Sequence, residues 1–371
     1  MPALNLLIKP ASSLCNMGCR YCFYRDVAEN RNTSSFGIMS EKTVDAMLKN
    51  VFSYADAQVS FTFQGGEPTL AGEDFYRSFH RSVERYNTKR LPVSFFLQTN
   101  GYDISDGLLD IFSKHRYLLG VSLDGTESIH NSLRTTLSDA PTYDKINATL
   151  SRLDRYRIDY NILTVVTEDV AKRGAEVYKH LRDRGFRFLQ FIPYVCDFGR
   201  EKEKASYTLT NESYAHFLTE TFREYRNDFL GGRYVSVRDF DNFVRIAAGL
   251  SPECCGMGGK CYANLVIEAD GSAYPCDFYV LDKWKMGNIT ENSVEFLLSS
   301  EAARSFVKES LTVSEECKKC PYLPVCKGGC RRHREDAFGK IGLNRYCKAY
   351  KAFFSASASL ITDMARRLCK K

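Results

Sequence analysis

The sequence predicts an α/β fold, a partial parallel (β/α)6 barrel two units short of a TIM barrel, followed by a cysteine-rich domain. Three observations predict it. Over residues 1–234, six short apolar runs alternate with longer amphipathic stretches. Loops rich in glycine, cysteine and acidic residues recur just after those runs. From about residue 235 the helical periodicity gives way to cysteines and turn signals, so 235–371 reads as a second domain.

The runs at 4–9, 59–64, 93–99, 118–123, 160–166 and 188–192 are rich in β-branched and aromatic residues, as in strands buried on both faces. A helix begins near Ser40, where Val44, Met47, Leu48 and Val51 fall at the spacing of one helix face. Further helices are expected over 72–88, 104–114, 142–156, 169–184 and 211–229, with a last one over 348–367. Parallel barrels place their chemistry at the C-terminal ends of the strands. The motifs fall there: a cysteine loop after the first strand, 65–68 after the second, 99–101 after the third, 122–125 at the end of the fourth.

Composition narrows the classes. With 371 residues, 44% hydrophobic and 26% charged, the chain can bury a large core and carry a second domain. The net charge of +6 is spread along the chain, which gives no reason to expect nucleic-acid binding. Its densest basic stretch, Lys327, Arg331, Arg332 and Arg334, lies among cysteines and reads as a solvated face around a metal site. No stretch resembles a membrane span, and the first ten residues read as a strand rather than a signal peptide. Fourteen cysteines are too few for a disulfide scaffold, and their grouping in C-x2-C patterns indicates metal ligands in a cytoplasmic protein.

Cys15, Cys19 and Cys22 are spaced C-x3-C-x2-C, with Tyr21 and Phe23 beside the last. Three thiolates hold three irons of a 4Fe–4S cluster and leave the fourth open to a chelating ligand, whereas a zinc site wants four protein ligands. The open iron suits the amino and carboxylate groups of S-adenosylmethionine (SAM). Gly65-Gly66-Glu67-Pro68 brings backbone close to a ligand and offers the Glu67 carboxylate to an ammonium group; alone such a run is more often a turn, but one strand after the cysteine loop it is specific. Ser122 and Asp124 can bond ribose hydroxyls or simply form a turn, and Arg134 can hold a carboxylate in a fork.

Downstream, Cys317, Cys320, Cys326 and Cys330 form C-x2-C-x5-C-x3-C, with Cys347 beyond and Cys255, Cys261 and Cys276 before. Eight thiols suffice for two four-thiolate sites, iron–sulfur or structural zinc. Cys196, Cys254 and Cys369 remain unassigned, Cys196 being placed after the sixth strand, where it can face the active site. Asp277, next to Cys276, is either a proton acceptor beside a cluster ligand or a solvated loop acid.

These motifs resemble radical SAM proteins with a SPASM domain, and among them the anaerobic sulfatase-maturating enzymes. The resemblance runs nearly the full length, from Leu6-Leu-Ile-Lys-Pro-Ala-Ser-Ser13 through Phe63-Gln-Gly-Gly-Glu-Pro-Thr69, Gln98-Thr-Asn-Gly101 and Phe188-Leu-Gln-Phe-Ile192 to Tyr274-Pro-Cys-Asp-Phe-Tyr-Val-Leu-Asp282 and the last cysteines. It implies a radical SAM barrel, SAM and three 4Fe–4S clusters. Cys15, Cys19 and Cys22 would hold the radical-generating cluster. Cys255, Cys261, Cys276 and Cys330 would hold the first auxiliary cluster, and Cys317, Cys320, Cys326 and Cys347 the second.

By the same resemblance, Tyr21, Gly66, Glu67, Ser122, Asp124, Arg134 and Val195 would contact SAM, Asp277 would be the proton acceptor, and Tyr24, Gln64 and Gln190 would line the substrate. The implied reaction oxidises a cysteine or serine of an unfolded sulfatase or peptide to Cα-formylglycine, with flavodoxin or ferredoxin as electron donor. The charged segment 193–207 matches no substrate-binding pattern. The alternative is therefore a SPASM enzyme acting on a ribosomal precursor peptide by thioether or carbon–carbon cross-linking, or by epimerisation. A non-catalytic zinc or electron-transfer protein would not cleave SAM.

Overall fold

The computed structural model describes residues 3–198, 205–336 and 339–368; Cys369 lies outside them. The chain forms two compact units, each drawn from separate stretches. The first comprises Met1–Ser122, Leu133–Tyr160 and Ala263–Phe306, the second Leu123–Ser132, Asn161–Tyr262 and Val307–Lys371.

In the first unit, β1 (Leu4–Ile8), β2 (Val59–Phe63), β3 (Val93–Thr99) and β4 (Leu118–Ser122) lie parallel in chain order. Helices Glu41–Tyr54, Gly72–Tyr86 and Asp106–Lys114 connect them, as the periodicity predicts. Ser40 and Ser105 cap two of these helices by accepting from Thr43 N and Leu108 N, which satisfies backbone donors that a helix start leaves open. The expected face Val44, Met47, Leu48 and Val51 is fully buried. Phe63 of β2 packs edge-on against Phe79 and Tyr76 with ring centroids 5.0 and 5.2 Å apart.

The cysteine-rich stretch contributes to this same sheet. β8 (Leu265–Ile267) runs parallel to the free side of β1, β9 (Ser272–Tyr274) returns antiparallel beside β8, and β10 (Gly287–Asn288) follows antiparallel. The sequence reading assigns no strands here, because runs of two or three residues carry no readable period.

In the second unit, β5 (Asp159–Val166, from Asn161 on) and β6 (Phe188–Pro193) are parallel, and β7 (Ser236–Val237) adds to β6. Helix 211–229 is found as Asn211–Leu230 and the last helix as Cys347–Leu368. The expected single helix at 169–184 breaks into Glu168–Lys172 and Gly174–Asp183. A Cβ on Gly174 would stand 2.6 Å from Phe217 and 2.7 Å from Thr221, so the break brings the backbone against the neighbouring helix.

One buried ion pair fastens the first unit. Arg31, just beyond the cysteine loop, holds Glu268, the residue after β8, at 2.6 Å, with both side chains almost wholly excluded from solvent. Removing one partner of such a pair leaves a buried bare charge. Arg31→Met is expected to cost about 3–5 kcal/mol in anaerobic denaturant unfolding, and Arg31→Met with Glu268→Leu distinctly less. An unchanged unfolding midpoint for the single variant would remove this pair from the fold's supports.

Candidate active site

The ends of β1, β2 and β3 converge on the cysteine loop. Its cysteines follow β1 directly, and hydrogen bonds from Gly18 N to Thr135 O (2.8 Å) and from Arg20 N to Leu133 O (3.0 Å) tie it down. Gly66 N donates to Ser12 O and Glu67 N to Leu14 O, at 2.9 and 2.7 Å. The loop thus lies on the Gly-Gly-Glu turn so closely that a Cβ on Gly66 would stand 2.0 Å from Leu14 O. Only glycine fits.

Glu67 is placed differently from the expectation of a carboxylate offered to a ligand. It is fully buried. Its Oε1 accepts from Thr69 N (3.1 Å), Thr69 Oγ1 (2.7 Å) and Thr99 Oγ1 (2.8 Å), and its Oε2 accepts from Asn100 N (2.8 Å). Burial raises its carboxyl above the usual range, and these hydrogen bonds pull it back. The carboxylate is a strut between strand ends.

Asn100, next to Thr99, donates to Cys15 Sγ at 3.7 Å and to Asn16 Oδ1 at 2.8 Å. Arg134 donates to the Tyr21 hydroxyl at 2.8 Å, and Ser122 Oγ accepts from Gln98 at 3.4 Å. Burial pushes the Cys15 thiol up to about 11, with the charges of Glu67, Cys22 and Cys19 adding to it against a hydrogen bond from Met17. Three mutually repelling thiols fit a cationic iron centre, which displaces their protons. No three His, Cys, Asp or Glu side chains among the described residues converge tightly enough to bind a single metal ion. Thiolates at separate corners of an iron–sulfur cube do not need to.

Asp277 lies in the first unit, just after β9 and next to Cys276. Its Oδ2 accepts from the Tyr24 hydroxyl at 2.6 Å and from Gln64 Nε2 at 3.3 Å. Lys9 Nζ stands 3.1 Å from Oδ1 and 4.3 Å from the Tyr24 ring centroid. The ammonium is not aligned as a donor, so Oδ1 is buried and accepts no hydrogen bond. Burial first, then the charge and hydrogen bond of Asp277, hold the Tyr24 phenol well above the usual tyrosine range. Tyr24 therefore stays protonated and donates.

Sheet topology explains the grouping. Lys9 N bonds Ile267 O of β8 and Gln64 N bonds Ile8 O, so Lys9 and Gln64 leave adjacent strand ends beside the hairpin that carries Asp277. Tyr24 and Gln64, expected to line the substrate, are fixed on the Asp277 carboxylate. Lys9 was missed as a site residue, and its signal was a lysine at an otherwise apolar strand end.

The second unit holds the other expected residues. Asp124 is buried and its Oδ1 accepts from Val165 N at 2.9 Å. Val195 is buried just beyond β6, and Gln190 accepts from Arg238 at 3.1 Å. The Cys196 carbonyl accepts from Arg332. Burial pushes Cys330 up to about 12, with Cys255, Cys261 and Cys254 adding to it. Cys317, Cys320, Cys326 and Cys347 line one open pocket with Tyr322 and Phe354. Lys327, Gly328 and Gly329 have φ of 47°, 84° and 75°, a left-handed run that turns the chain sharply between Cys326 and Cys330. The donor chemistry fits thiolate-bound clusters. The basic stretch is not the solvated face expected: Arg331, Arg332 and Arg334 are 1%, 7% and 4% exposed, because the turn after Cys330 directs them inward.

A three-cysteine loop on a Gly-Gly turn at parallel strand ends, with a second thiol-rich region downstream, defines a radical SAM protein. Residues 10–181 match the radical SAM superfamily, and residues 255–321 match an iron-sulfur cluster-binding domain, SPASM. The chain is 41% identical to the cysteine-type anaerobic sulfatase-maturating enzyme of Clostridium novyi over 99% of both chains. It is 28% identical to the serine-type enzyme of Klebsiella aerogenes over 98% of this chain and 87% of that one. Among solved structures, native anSMEcpe with bound AdoMet and Cp18Cys peptide superposes with a TM-score of 0.94 at 40% identity, covering 99% of this chain and 100% of that one. The chain belongs to the anaerobic sulfatase-maturating enzyme family. SuiB of Streptococcus suis, at 17% identity and a TM-score of 0.62, shares the fold.

Gly66→Ala is expected to displace the cysteine loop by the width of that clash while the sheet survives. The variant should keep its circular dichroism yet bind less iron per chain and lose SAM cleavage. Full iron content with normal cleavage would show that the close approach is dispensable.

Proposed function

We propose that the protein oxidises a cysteine in a sulfatase-derived peptide to Cα-formylglycine. The observation that carries this reading is the Asp277 carboxylate beside Cys276, whose Oδ2 is held by Tyr24 and Gln64 while its buried Oδ1 meets only the Lys9 ammonium, 3.1 Å away and not aligned as a hydrogen bond. Such an atom suits a proton that arrives with the substrate. The cysteine target is supported by relatives named cysteine-type at 41% identity, against 28% for a serine-type one.

When bound, SAM and the cluster at Cys15, Cys19 and Cys22 would supply a 5′-deoxyadenosyl radical that removes a hydrogen from the substrate Cβ, and an auxiliary cluster would take up the remaining electron. The chain's own residues do the rest. Asp277 Oδ1 receives the thiol proton. Lys9 balances the carboxylate charge, and Tyr24 with Gln64 fixes its orientation. Arg134, through Tyr21, braces the cysteine loop. The backbone of Gly66 and Glu67, with Ser122, would contact SAM, as would Asp124 and Val195, and Gln190 would line the peptide. The first auxiliary cluster would use Cys255, Cys261, Cys276 and Cys330, the second Cys317, Cys320, Cys326 and Cys347. The reductant would be flavodoxin or ferredoxin in the cytoplasm. Exposed Lys318, Lys319, Lys340, Arg345 and Lys348 suit such an acidic carrier. No helix among the described residues is long and apolar enough to cross a membrane.

The test is anaerobic turnover of the reconstituted, reduced protein with SAM and a cysteine-containing sulfatase peptide, read by mass spectrometry. Sulfur replaced by oxygen with two hydrogens lost, alongside 5′-deoxyadenosine, is the expected product. Loss of two hydrogens with sulfur retained would replace this reading with cross-linking. Asp277→Asn should lower formylglycine formation by about 10²–10⁴-fold while SAM is still cleaved. Tyr24→Phe should cost less, since Lys9 and Gln64 still hold the carboxylate.

A further inference from the structure

Three arginines in a row of four residues are buried directly after Cys330, and their partners differ. Arg331 meets carboxylates: its guanidinium lies 2.6 Å from Glu309 and 3.8 Å from Glu335. Arg332 packs over the Phe198 ring, 3.5 Å from its centroid, and donates to the Cys196 carbonyl. Arg334 donates to neutral acceptors, Ser310 O at 2.8 Å and Thr312 O at 2.9 Å. Its Nε is buried without a partner, and no carboxylate among the described residues is paired with it.

A buried guanidinium without a counter-charge is costly, so a counter-charge is to be looked for nearby. Arg334 packs against the segments that carry thiols. A Cβ on Gly328, in the turn between Cys326 and Cys330, would stand 3.6 Å from Arg334 Cδ. Ser310, whose carbonyl Arg334 holds, is fully buried and accepts from Cys261 N at 2.9 Å through its hydroxyl. Burial pushes the Cys261 thiol up, and the positive charges of Arg331 and Arg334 act against that. Four thiolates around a 4Fe–4S core carry net negative charge, and one unit more when reduced. A fixed cation beside them therefore stabilises the reduced form more than the oxidised one.

We propose that Arg334, with Arg331 beside it, is a positioning charge that raises the reduction potential of the auxiliary cluster held through Cys261 and Cys330, so that it accepts the substrate's electron. This rests on the proposed function for the electron's origin but not for the potential itself. The substrate radical, having lost one hydrogen atom and one proton, gives one electron to that cluster and becomes the thioaldehyde, which water hydrolyses to the aldehyde and hydrogen sulfide. Arg334 exchanges no proton in this sequence. Its contribution is electrostatic.

The test is redox titration of the reconstituted holoenzyme followed by electron paramagnetic resonance, without peptide. Arg334→Gln keeps a hydrogen-bond donor and removes the charge. It should keep the wild-type iron and sulfide content while one auxiliary signal shifts to a more negative midpoint, and Arg334→Lys should restore most of the shift. Glu309→Gln frees Arg331 of its neutralising partner on a half-exposed side chain, and should shift the same signal positive.

With peptide present, Arg334→Gln should also lower the ratio of formylglycine to 5′-deoxyadenosine. An unchanged midpoint in fully loaded Arg334→Gln, or an equal shift in Arg334→Lys, would overturn the proposal and leave Arg334 a helix-end hydrogen-bond donor. If Arg334→Gln fails to load, Glu309→Gln decides: no positive shift defeats the idea. A potential shift without any formylglycine in the wild type would defeat the peptide reading instead.

Discussion

The Glu67 carboxylate ties together the loops that make the first unit's site. It spans from the Thr69 turn after β2 to Thr99 and Asn100 at the end of β3, while its own N–H reaches Leu14 in the cysteine loop. Asn100, placed by that contact, in turn reaches the Cys15 sulfur. A carboxylate with no solvent of its own persists only when hydrogen bonds replace water, and here four do so. Loss of one would unsettle three loops together, because each loop's position is defined through the others.

Around Asp277 the same economy of charge operates. Lys9 and Asp277 balance one another at the ends of the strands, the ammonium beside Oδ1, and Tyr24 and Gln64 hold Oδ2. The hairpin bearing Asp277 is fixed because β8 continues the sheet beside β1, and Arg31 on Glu268 locks the same junction. The placement of the carboxylate is thus set by strand ends held in register, not by the loop that carries Asp277 alone.

In the second unit, positive charge is folded inward beside thiols. Of the buried arginines that follow Cys330, Arg331 meets Glu309 and Glu335, while Arg334 has no carboxylate partner among the described residues. The left-handed turn at 327–329 makes it possible, by reversing the chain between two cysteines only four residues apart.

The sequence by itself determined the α/β class, the six strands and the grouping of the thiols. Apolar period and cysteine spacing are local signals, written in neighbouring residues. It could not show that Glu67 faces inward as a strut, that Lys9 completes the Asp277 group, or that the arginines after Cys330 are buried. Nor could it show that a strand of three residues at 265–267 would extend the barrel sheet. Each of these depends on partners tens to hundreds of positions away, such as Lys9 with Asp277 or Arg31 with Glu268. Only tertiary structure decides whether a charged side chain meets water or a counter-charge, because that depends on what the fold brings alongside and not on the residues beside it in the chain.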